Sequence, residues 1–365
     1  MRSLRNLTAS FVLACSASTA WAAPTVERLA QPPTDLKPLP VRITGRAVTL
    51  PDHTFKSQWP GTYAEAAFDG SEVFLRVGDE ARIQHLLVDG AEVAKQIRPE
   101  AGVYRIGGLA AGRHLLRLEI ASENQSGPVT FGGFATRKLV KQKEPGRRSR
   151  QMEFIGDSHT VGYGNTSPTR ECTEDDVWAK TDTSQTFGPL VAQHYGADYE
   201  INAISGRGIV RNYGGFIADP LPVAYPFVLF DKATRDTDPH WNPDTVVIAL
   251  GTNDFTTPLN PGEKWRTRDE LHADYETTYL EFLRALRTRY PQALFVLWAT
   301  DMAEGEIGTE VKKVADRATA EGDSRVVFVP VNGLAMTGCN WHPSVDDDRT
   351  IAKSLIATID GRKSR

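Results

Sequence analysis

The chain has no excess of positive charge, few cysteines and no long apolar run beyond its N-terminus. Its 365 residues include 42 Lys and Arg against 46 Asp and Glu, which gives a formal net charge of −4. Proteins that bind nucleic acid rely on phosphate contacts and usually carry a strongly basic domain, so a nucleic-acid partner is not expected. A bilayer-spanning helix needs about 20 consecutive apolar residues, and no such stretch is present, so a transmembrane segment is not expected either.

Length and composition fit a globular protein with two domains. Hydrophobic residues make up 40% of the chain and charged residues 24%, which excludes fibrous and disordered classes. A single hydrophobic core rarely grows past about 250 to 300 residues. The chain therefore predicts two domains, and it contains no internal repeat.

The first 22 residues are typical of a secretory signal peptide. Arg2 and Arg5 precede an apolar and small-residue run, Phe11–Ala20, which is followed by an Ala-Trp-Ala cleavage site ending at Ala22. We expect this segment to be removed and the mature protein to be secreted, into the periplasm or the medium. A lipoprotein anchored at Cys15 is the less favoured alternative.

Cysteine usage points to one disulfide. The chain has three cysteines, and removal of the signal peptide would leave only Cys172 and Cys339 in an oxidising compartment. We expect these two to be paired. Two unrelated buried thiols are the alternative, because the sequence does not place their Cα atoms within reach of each other.

Residues 23–136 predict a β-sandwich or jelly roll. Short segments that alternate apolar and polar residues are separated by turn signals. Three of these segments are Val73–Val77, Ile83–Val88 and His114–Ile120. In the last one, Leu116 and Leu118 should face the core, whereas Arg117 and Glu119 should face water.

Residues 137–150 predict a linker or crossing strand between the domains. This segment has a Pro145-Gly146 break and one acidic residue. A binding site for an anionic polymer is the alternative, but a solvated connection is the commoner origin of so short a charge run. Its basic residues are Arg137, Lys138, Lys141, Lys143, Arg147, Arg148 and Arg150.

Residues 151–365 predict an α/β/α domain. Apolar runs typical of buried parallel strands alternate with helical segments, so we expect a parallel sheet covered on both faces. In such sheets ligands bind at the carboxyl ends of the strands. The predicted strands are Met152–Ile155, Thr245–Leu250, Ala293–Ala299 and Arg325–Val331, and the residues at helical spacing are Tyr275, Tyr279, Phe282, Leu283 and Leu286.

Four motifs follow the ends of strands or lie close to one. Gly156-Asp157-Ser158 places a hydroxyl after a strand, Ser205-Gly206 forms a turn, Gly251-Thr252-Asn253-Asp254 delivers an amide, and Asn340-Trp341-His342 lies near the chain end. Taken singly, each motif also fits an ordinary turn or cap.

The four motifs, taken in this order, resemble the conserved blocks of the SGNH (GDSL-type) hydrolases. The Ser, Gly, Asn and His of those blocks would here be Ser158, Gly206, Asn253 and His342. The resemblance covers residues 151–360. With a β-sandwich in front, the strings GDSHTVGYGN, SGRGIVRN, LGTNDF and GCNWHPS resemble carbohydrate esterase family 2. Members of that family are acetylesterases in which a jelly roll precedes the SGNH domain. The resemblance implies hydrolysis of acetyl esters on polysaccharides or oligosaccharides such as xylan, mannan or glucomannan, without cofactor or metal.

The resemblance also implies roles for these residues. Ser158 would be the nucleophile and His342 the general base. The oxyanion hole would consist of the backbone N–H groups of Ser158 and Gly206 and the side-chain amide of Asn253. His159, next to the nucleophile, is interpreted as a loop residue whose side chain points away from Ser158.

The family pattern is broken where an Asp usually stands, two or three residues before the histidine. Those positions hold Cys339 and Asn340. We therefore expect a Ser-His dyad in which the Asn340 side-chain oxygen or a backbone carbonyl accepts the Nδ1 proton of His342. A bridge from Cys339 to Cys172 would tie the histidine loop to the loop after the nucleophile.

Aromatic residues on the loops are candidates for sugar recognition, because an aromatic face can cover the apolar side of a pyranose. Trp341 is the strongest candidate, being adjacent to His342, whereas Trp241 could equally pack in the core. The eight histidines show no metal-ligand spacing such as His-Glu-x-x-His. The full set of candidates is Tyr163, Trp178, Tyr225, Trp241 and Trp341.

Two other functions remain open. One is a different SGNH esterase, namely a lipase, a thioesterase or a peptidoglycan O-acetylesterase. The other is a non-catalytic carbohydrate-binding protein, favoured by the missing Asp but opposed by the retention of all four block residues. In the preferred interpretation the partner is an acetylated polysaccharide or oligosaccharide, and the protein is expected to be a monomer.

Overall fold

The computed structural model describes residues 23–52, 54–78, 82–137 and 143–363. The expected signal peptide, Cys15 included, lies outside the described residues, as do Lys138 and Lys141 of the linker. Within the described ranges, no helix has both the length and the apolar composition that crossing a bilayer requires.

The N-terminal half forms two antiparallel sheets. One has the order β1-β10-β7-β12-β5-β4, with β2 beside β12, and the other has the order β3-β6-β11-β8-β9. In chain order the strands are β1 (Thr25–Arg28), β2 (Lys37–Pro38), β3 (Arg42–Thr44), β4 (Ala47–Thr49), β5 (Phe55–Ser57), β6 (Tyr63–Gly70), β7 (Val73–Val77), β8 (Ile83–Val88), β9 (Ala91–Ile97), β10 (Gly102–Gly107), β11 (Gly112–Ile120) and β12 (Val129–Thr136).

A hydrophobic core lies between these two sheets. Phe68, Leu116 and Leu118 come from one sheet and Leu75 and Phe134 from the other, and all five side chains are buried. Burial of each large apolar side chain contributes about 1.5 to 3 kcal/mol. The predicted β-sandwich is therefore confirmed.

The C-terminal half contains a parallel sheet of five strands in the order β14-β13-β15-β16-β17. The strands are β13 (Gln151–Gly156), β14 (Asp198–Ala203), β15 (Thr245–Ala249), β16 (Leu294–Thr300) and β17 (Val326–Val331). The helices are α1 (Ser158–Val161), α2 (Glu174–Lys180), α3 (Phe187–His194), α4 (Leu221–Ala224), α5 (Thr252–Phe255), α6 (Arg268–Arg289), α7 (Glu306–Ala320) and α8 (Val345–Lys363), with short 3-10 turns at Thr183–Gln185, Tyr213–Gly215, Ala303–Gly305 and Cys339–Trp341.

Helices cover both faces of this sheet, as predicted. One core contains the buried side of α6 and α7, and the other contains residues of α3 and α8. Gly156 at the end of β13 is in register with Ala203 of β14 and Ala249 of β15. The segments that follow these three strands therefore meet at one edge of the sheet.

The two domains share a buried polar interface. Arg117 of β11 donates a hydrogen bond to the hydroxyl of Tyr199 over 2.9 Å, and that hydroxyl donates to Glu119. Arg42 forms a buried ion pair of 2.8 Å with Asp198. The outer face of β11, which we expected to be wet, is thus covered by the second domain, because its charged side chains find polar partners there.

The described part of the linker, residue 137 and residues 143–150, forms no strand. Arg137 pairs with Glu72 of the N-terminal domain, and three further arginines pair with acidic residues of the C-terminal domain. The pairs are Arg147 with Asp238 at 3.3 Å, Arg148 with Asp198 at 2.5 Å and Arg150 with Asp244 at 3.0 Å.

Candidate active site

Ser158 lies at the start of α1, directly after the turn that ends β13. A Cβ on Gly156 would come within 2.0 Å of the Thr160 hydroxyl, so this turn requires glycine. Asp157 is the N-cap residue, and its carboxylate accepts the N–H of His159 at 3.0 Å. This cap fixes the first turn and with it the position of the serine.

His342 faces the serine across the edge of the sheet. Its Nε2 lies 2.9 Å from Ser158 Oγ, and its Nδ1 lies 2.9 Å from the Cys339 carbonyl oxygen and 3.1 Å from that of Asn340. Carbonyl oxygens only accept, so Nδ1 carries the proton of the neutral ring and Nε2 is free to accept from the serine hydroxyl. The Asn340 side chain turns away, with Nδ2 3.4 Å from the hydroxyl of Tyr163.

The histidine loop is tied to the loop after α1. Cys339 and Cys172 form a disulfide with their Cα atoms 5.5 Å apart, which confirms the predicted pairing. The Arg170 carbonyl accepts the N–H of Asn340 at 2.7 Å, and the Arg170 side chain donates to the carbonyls of Ala335 and Met336. These bonds hold a strained backbone, because Asn340 and Trp341 both have positive φ angles of 51° and 62°.

Two backbone N–H groups beside the serine are available to an oxyanion. Among the described residues, neither the N–H of Ser158 nor that of Gly206 has a protein acceptor. The Asn253 amide nitrogen donates to the Arg207 carbonyl at 2.8 Å and to the Asp157 carboxylate at 3.2 Å. Asn253 is thereby fixed beside the cleft, and it would have to share one of these protons with an oxyanion.

Asp254 organises the loop that follows Gly206, a role the sequence did not indicate. Its carboxylate accepts the backbone N–H groups of Ile209, Val210 and Arg211 at 2.9 to 3.0 Å. Burial raises the pKa of Asp254 to about 6, against the lowering effect of these three N–H groups.

Asp157 is buried, whereas His342 is half-buried and lines the cleft. Burial lowers the pKa of His342 to about 4, although its two carbonyl partners act in the opposite direction. Burial raises the pKa of the Asp157 carboxyl to about 7, against the hydrogen bond from the His159 N–H. His342 is therefore neutral, and competent as a base, throughout the neutral pH range.

His159 requires a correction. It lies within α1 rather than in a loop, and its buried ring packs edge-on against that of His342 at 5.5 Å. Burial, together with the nearby His342, lowers the pKa of His159 to about 3. Tyr163 covers another side of the His342 ring at 4.3 Å, so the two aromatic neighbours restrict the orientation of the base.

A cleft of about 610 Å³ lies above the serine. Trp341 stands on its histidine side with 61% of its surface exposed, and Tyr213 and Phe216 stand on the Gly206 side. The latter two aromatics were not predicted, although they follow the SGRGIVRN string within a few positions. The lining is completed by Gln125, Ser158, His159, Tyr163, Ser205, Gly206, Thr252, Asn253, Thr256, Met302, Asn340 and His342.

Three aromatic candidates are not brought to the cleft. Tyr225 and Trp241 are each 4% exposed, and their polar atoms donate to the buried carboxylate of Glu153 at 2.6 and 3.3 Å. They are core residues, because a buried hydroxyl or indole N–H needs an acceptor and Glu153 supplies it. Trp178 is stacked under the guanidinium of Arg98 at 4.2 Å and does not line the cleft.

Across the described ranges, no group of three or more His, Cys, Asp and Glu side chains is arranged to hold a metal ion.

The parallel sheet and the groups at its edge define a serine ester hydrolase of the SGNH type. The pattern of the GDSL-like Lipase/Acylhydrolase family matches residues 154–353, and that of the Carbohydrate esterase 2 N-terminal family matches residues 43–142. The chain therefore belongs to carbohydrate esterase family 2.

Relatives with both domains support this assignment. An acetylxylan esterase / glucomannan deacetylase of Cellvibrio japonicus (strain Ueda107) is 42% identical over 332 residues, which cover 90% of this chain and 92% of the relative. A solved carbohydrate esterase, described as having divergent catalytic and non-catalytic binding functions at its active site, superposes with a TM-score of 0.84. It is 40% identical and covers 89% of this chain and 98% of its own. A family two carbohydrate esterase from Clostridium thermocellum, solved with cellohexaose, has a TM-score of 0.76 at 27% identity and covers 89% and 99% of the two chains.

Proposed function

We propose that this protein is a secreted, monomeric O-acetylesterase that removes acetyl groups from polysaccharides or oligosaccharides such as xylan, mannan or glucomannan. The observation that carries the proposal is the 2.9 Å contact between Ser158 Oγ and His342 Nε2 at the base of an open cleft. The name of the Cellvibrio relative supports the substrate class. The basic and apolar first 22 residues support secretion.

In the acylation step, Ser158 Oγ attacks the carbonyl carbon of the acetyl ester while its proton passes to His342 Nε2. The carbonyl oxygen becomes an oxyanion, which accepts hydrogen bonds from the N–H groups of Ser158 and Gly206 and from the Asn253 amide. Loss of one such donor typically costs about 10²- to 10³-fold in rate. The C–O bond to the sugar then breaks, and the sugar oxygen takes the proton from His342.

In the deacylation step, water attacks the acetyl-serine while His342 Nε2 accepts its proton. Collapse of the second tetrahedral intermediate releases acetate and returns the proton to Ser158 Oγ. In both steps the positive charge on the imidazolium is stabilised by the carbonyl oxygens of Cys339 and Asn340, which accept from Nδ1. The base therefore works without a carboxylate partner.

The cleft favours a carbohydrate over a long acyl chain. Polar or small residues, Ser205, Gly206, Thr252 and Asn253, line the cleft beside Ser158, whereas the exposed aromatic side chains of Tyr213, Phe216 and Trp341 stand at its rim. Each buried CH₂ of an acyl chain contributes about 0.8 kcal/mol, but only where apolar surface receives it. An eight-carbon chain therefore gains little here.

Two measurements test the proposal. Acetate release from acetylated xylan, mannan and glucomannan, with positional analysis of the products, should show turnover on at least one polysaccharide. The kcat/KM for 4-nitrophenyl acetate should exceed that for the octanoate ester. A preference for octanoate, or hydrolysis of 4-nitrophenyl esters without acetate release from any polysaccharide, would indicate a different SGNH esterase.

A further inference from the structure

We infer that the N-terminal domain sets an oxyanion donor of the C-terminal domain, with Gln125 as the positioning residue. The inference rests on the proposed function and extends it to a residue outside the hydrolase domain. Gln125 lies in the loop that joins β11 to β12, residues 121–128. Its amide nitrogen donates to the Ser205 carbonyl at 3.1 Å, across 80 positions of sequence.

The bonded carbonyl belongs to the same peptide unit as the Gly206 N–H. In a planar trans peptide the C=O and N–H bonds point in opposite directions. A donor that holds the oxygen of Ser205 therefore also fixes the direction of the Gly206 N–H. That N–H has no protein acceptor among the described residues, and Gly206 lines the cleft.

This peptide needs an external restraint. Gly206 has a φ angle of +80° and no side chain, so its backbone has more rotational freedom than that of any other residue type. A hydrogen bond to the carbonyl also polarises the peptide and strengthens its N–H as a donor. Gln125 can therefore affect both the direction and the strength of the oxyanion contact without touching the reacting atoms.

A second side chain of the same loop holds the preceding peptide. The Glu123 carboxylate accepts the N–H of Ser205 at 2.9 Å. The peptide units on both sides of Ser205 are thus bonded to the N-terminal domain.

Besides the Ser205 carbonyl, the Gln125 side chain hydrogen-bonds to Glu123 of the same loop, so its replacement removes these two contacts but leaves the backbone contacts of the loop in place. The Asn124 N–H donates to the Gln58 carbonyl at 3.3 Å, and the Ser126 N–H donates to the Asn124 side chain at 3.2 Å. Gln125 itself is exposed, so its truncation leaves no cavity. Ser126, also exposed and one position further on, offers a matched control.

The test compares Gln125→Ala and Gln125→Glu with Ser126→Ala in the full chain. Gln125→Glu keeps the size of the side chain but replaces its donor with an acceptor that repels the Ser205 carbonyl. With 4-nitrophenyl acetate we expect both Gln125 variants to lose about tenfold or more in kcat, with KM within about twofold, since oxyanion contacts act in the transition state. Ser126→Ala should match the wild type.

A second measurement is the Ki of a boronic acid that forms a tetrahedral adduct with the serine. Its Ki should rise in the Gln125 variants in parallel with the loss of kcat, whereas the melting temperature should stay within about 2 °C of the wild type. Unchanged kcat and Ki would overturn the inference, and so would a rise in KM alone, which would mean that Gln125 contacts substrate. Failure of the proposed function is a separate result, because it would appear in the wild type as a preference for the octanoate ester or as the absence of acetate release from every polysaccharide.

Discussion

Cys339 holds His342 in two ways. Its carbonyl oxygen lies 2.9 Å from Nδ1 of the histidine, and its side chain is bonded to Cys172 in the loop after α1. A neutral carbonyl thus stands where SGNH hydrolases usually place a carboxylate. It fixes the tautomer as a carboxylate would, but it stabilises the imidazolium less, because bonds to ionised acceptors are the stronger ones.

The first prediction concerns Asn340, whose backbone contacts His342 while its side chain does not. Asn340→Gly keeps the carbonyl and suits the positive φ of 51°, so kcat should stay within about threefold of the wild type. Asn340→Asp should preserve or raise kcat, since a carboxylate near the ring would favour its charged form. Steady-state kinetics on 4-nitrophenyl acetate check both variants. A drop of tenfold or more in Asn340→Asp, with folding intact, would count against a carbonyl-oriented dyad.

The second prediction concerns the Cys172–Cys339 bridge. The double variant Cys172→Ser/Cys339→Ser should lose on the order of 2 to 5 kcal/mol in the free energy of unfolding, because a link across 167 positions restricts the unfolded chain. Its kcat should also decrease, with a smaller change in KM, because the loop that carries His342 loses an anchor. Denaturant unfolding and kinetics measure the two effects. An unchanged melting temperature and activity in reductant, with both thiols titrating as free in the native protein, would refute it.

The third prediction concerns pH. The base must be unprotonated, and burial lowers the pKa of His342 to about 4. The acid limb that His342 imposes on kcat/KM should therefore lie near pH 4, well below the value near 6.5 of a free histidine. Circular dichroism over the same range serves as the control for acid unfolding.

A variant of Asp157 can show which group causes each inflection in the pH profile of kcat/KM, because burial raises the pKa of the Asp157 carboxyl to about 7. Any inflection near pH 7 should disappear in Asp157→Asn, while the acid limb near pH 4 stays in place. An acid limb near pH 6.5 that persists in this variant would contradict the lowered pKa of His342.

The fourth prediction concerns the exposed rim. The Arg170 guanidinium lies 3.8 Å from the centre of the Trp341 ring, and the exposed indole lines the cleft. Trp341→Ala should raise KM for an acetylated polysaccharide about 3- to 10-fold while leaving kcat on 4-nitrophenyl acetate within about threefold. Trp178→Ala is the matched control, because Trp178 lies away from the cleft. Equal effects of the two substitutions would rule out a specific sugar contact at Trp341.

Local patterns predicted much of the fold. Val73–Val77 and Ile83–Val88 form strands with the expected bounds, since alternation and turn signals define both segments without help from the rest of the chain. Ser344 and Asp347 form a capping box at the start of α8, a contact that is likewise local in the sequence. Prediction was weaker for surfaces whose exposure depends on distant segments. The charged face of β11 was expected to face water, but it is covered by a domain that begins thirty residues later.

Within the site, the sequence indicated the block residues but not their supports. Nothing in the sequence distinguishes the aromatic residues Tyr225 and Trp241 from Trp341. Only the three-dimensional placement of Glu153 makes the first two core residues. No sequence pattern indicated a role for Gln125, because its contact with the Ser205 carbonyl joins two domains. The residues proposed to react lie in short motifs, whereas the residues that orient them are distant in the sequence and are brought close only by the fold.

The central claim is that Ser158, activated by His342, forms the acyl-enzyme. The most direct test measures acetate release from an acetylated polysaccharide by the wild type and by Ser158→Ala, at matched concentration and with folding checked by thermal melting. We predict that kcat falls by at least about 10³-fold in the variant, because no other group can take over the covalent step. Acetate release by Ser158→Ala within tenfold of the wild-type rate would contradict the account.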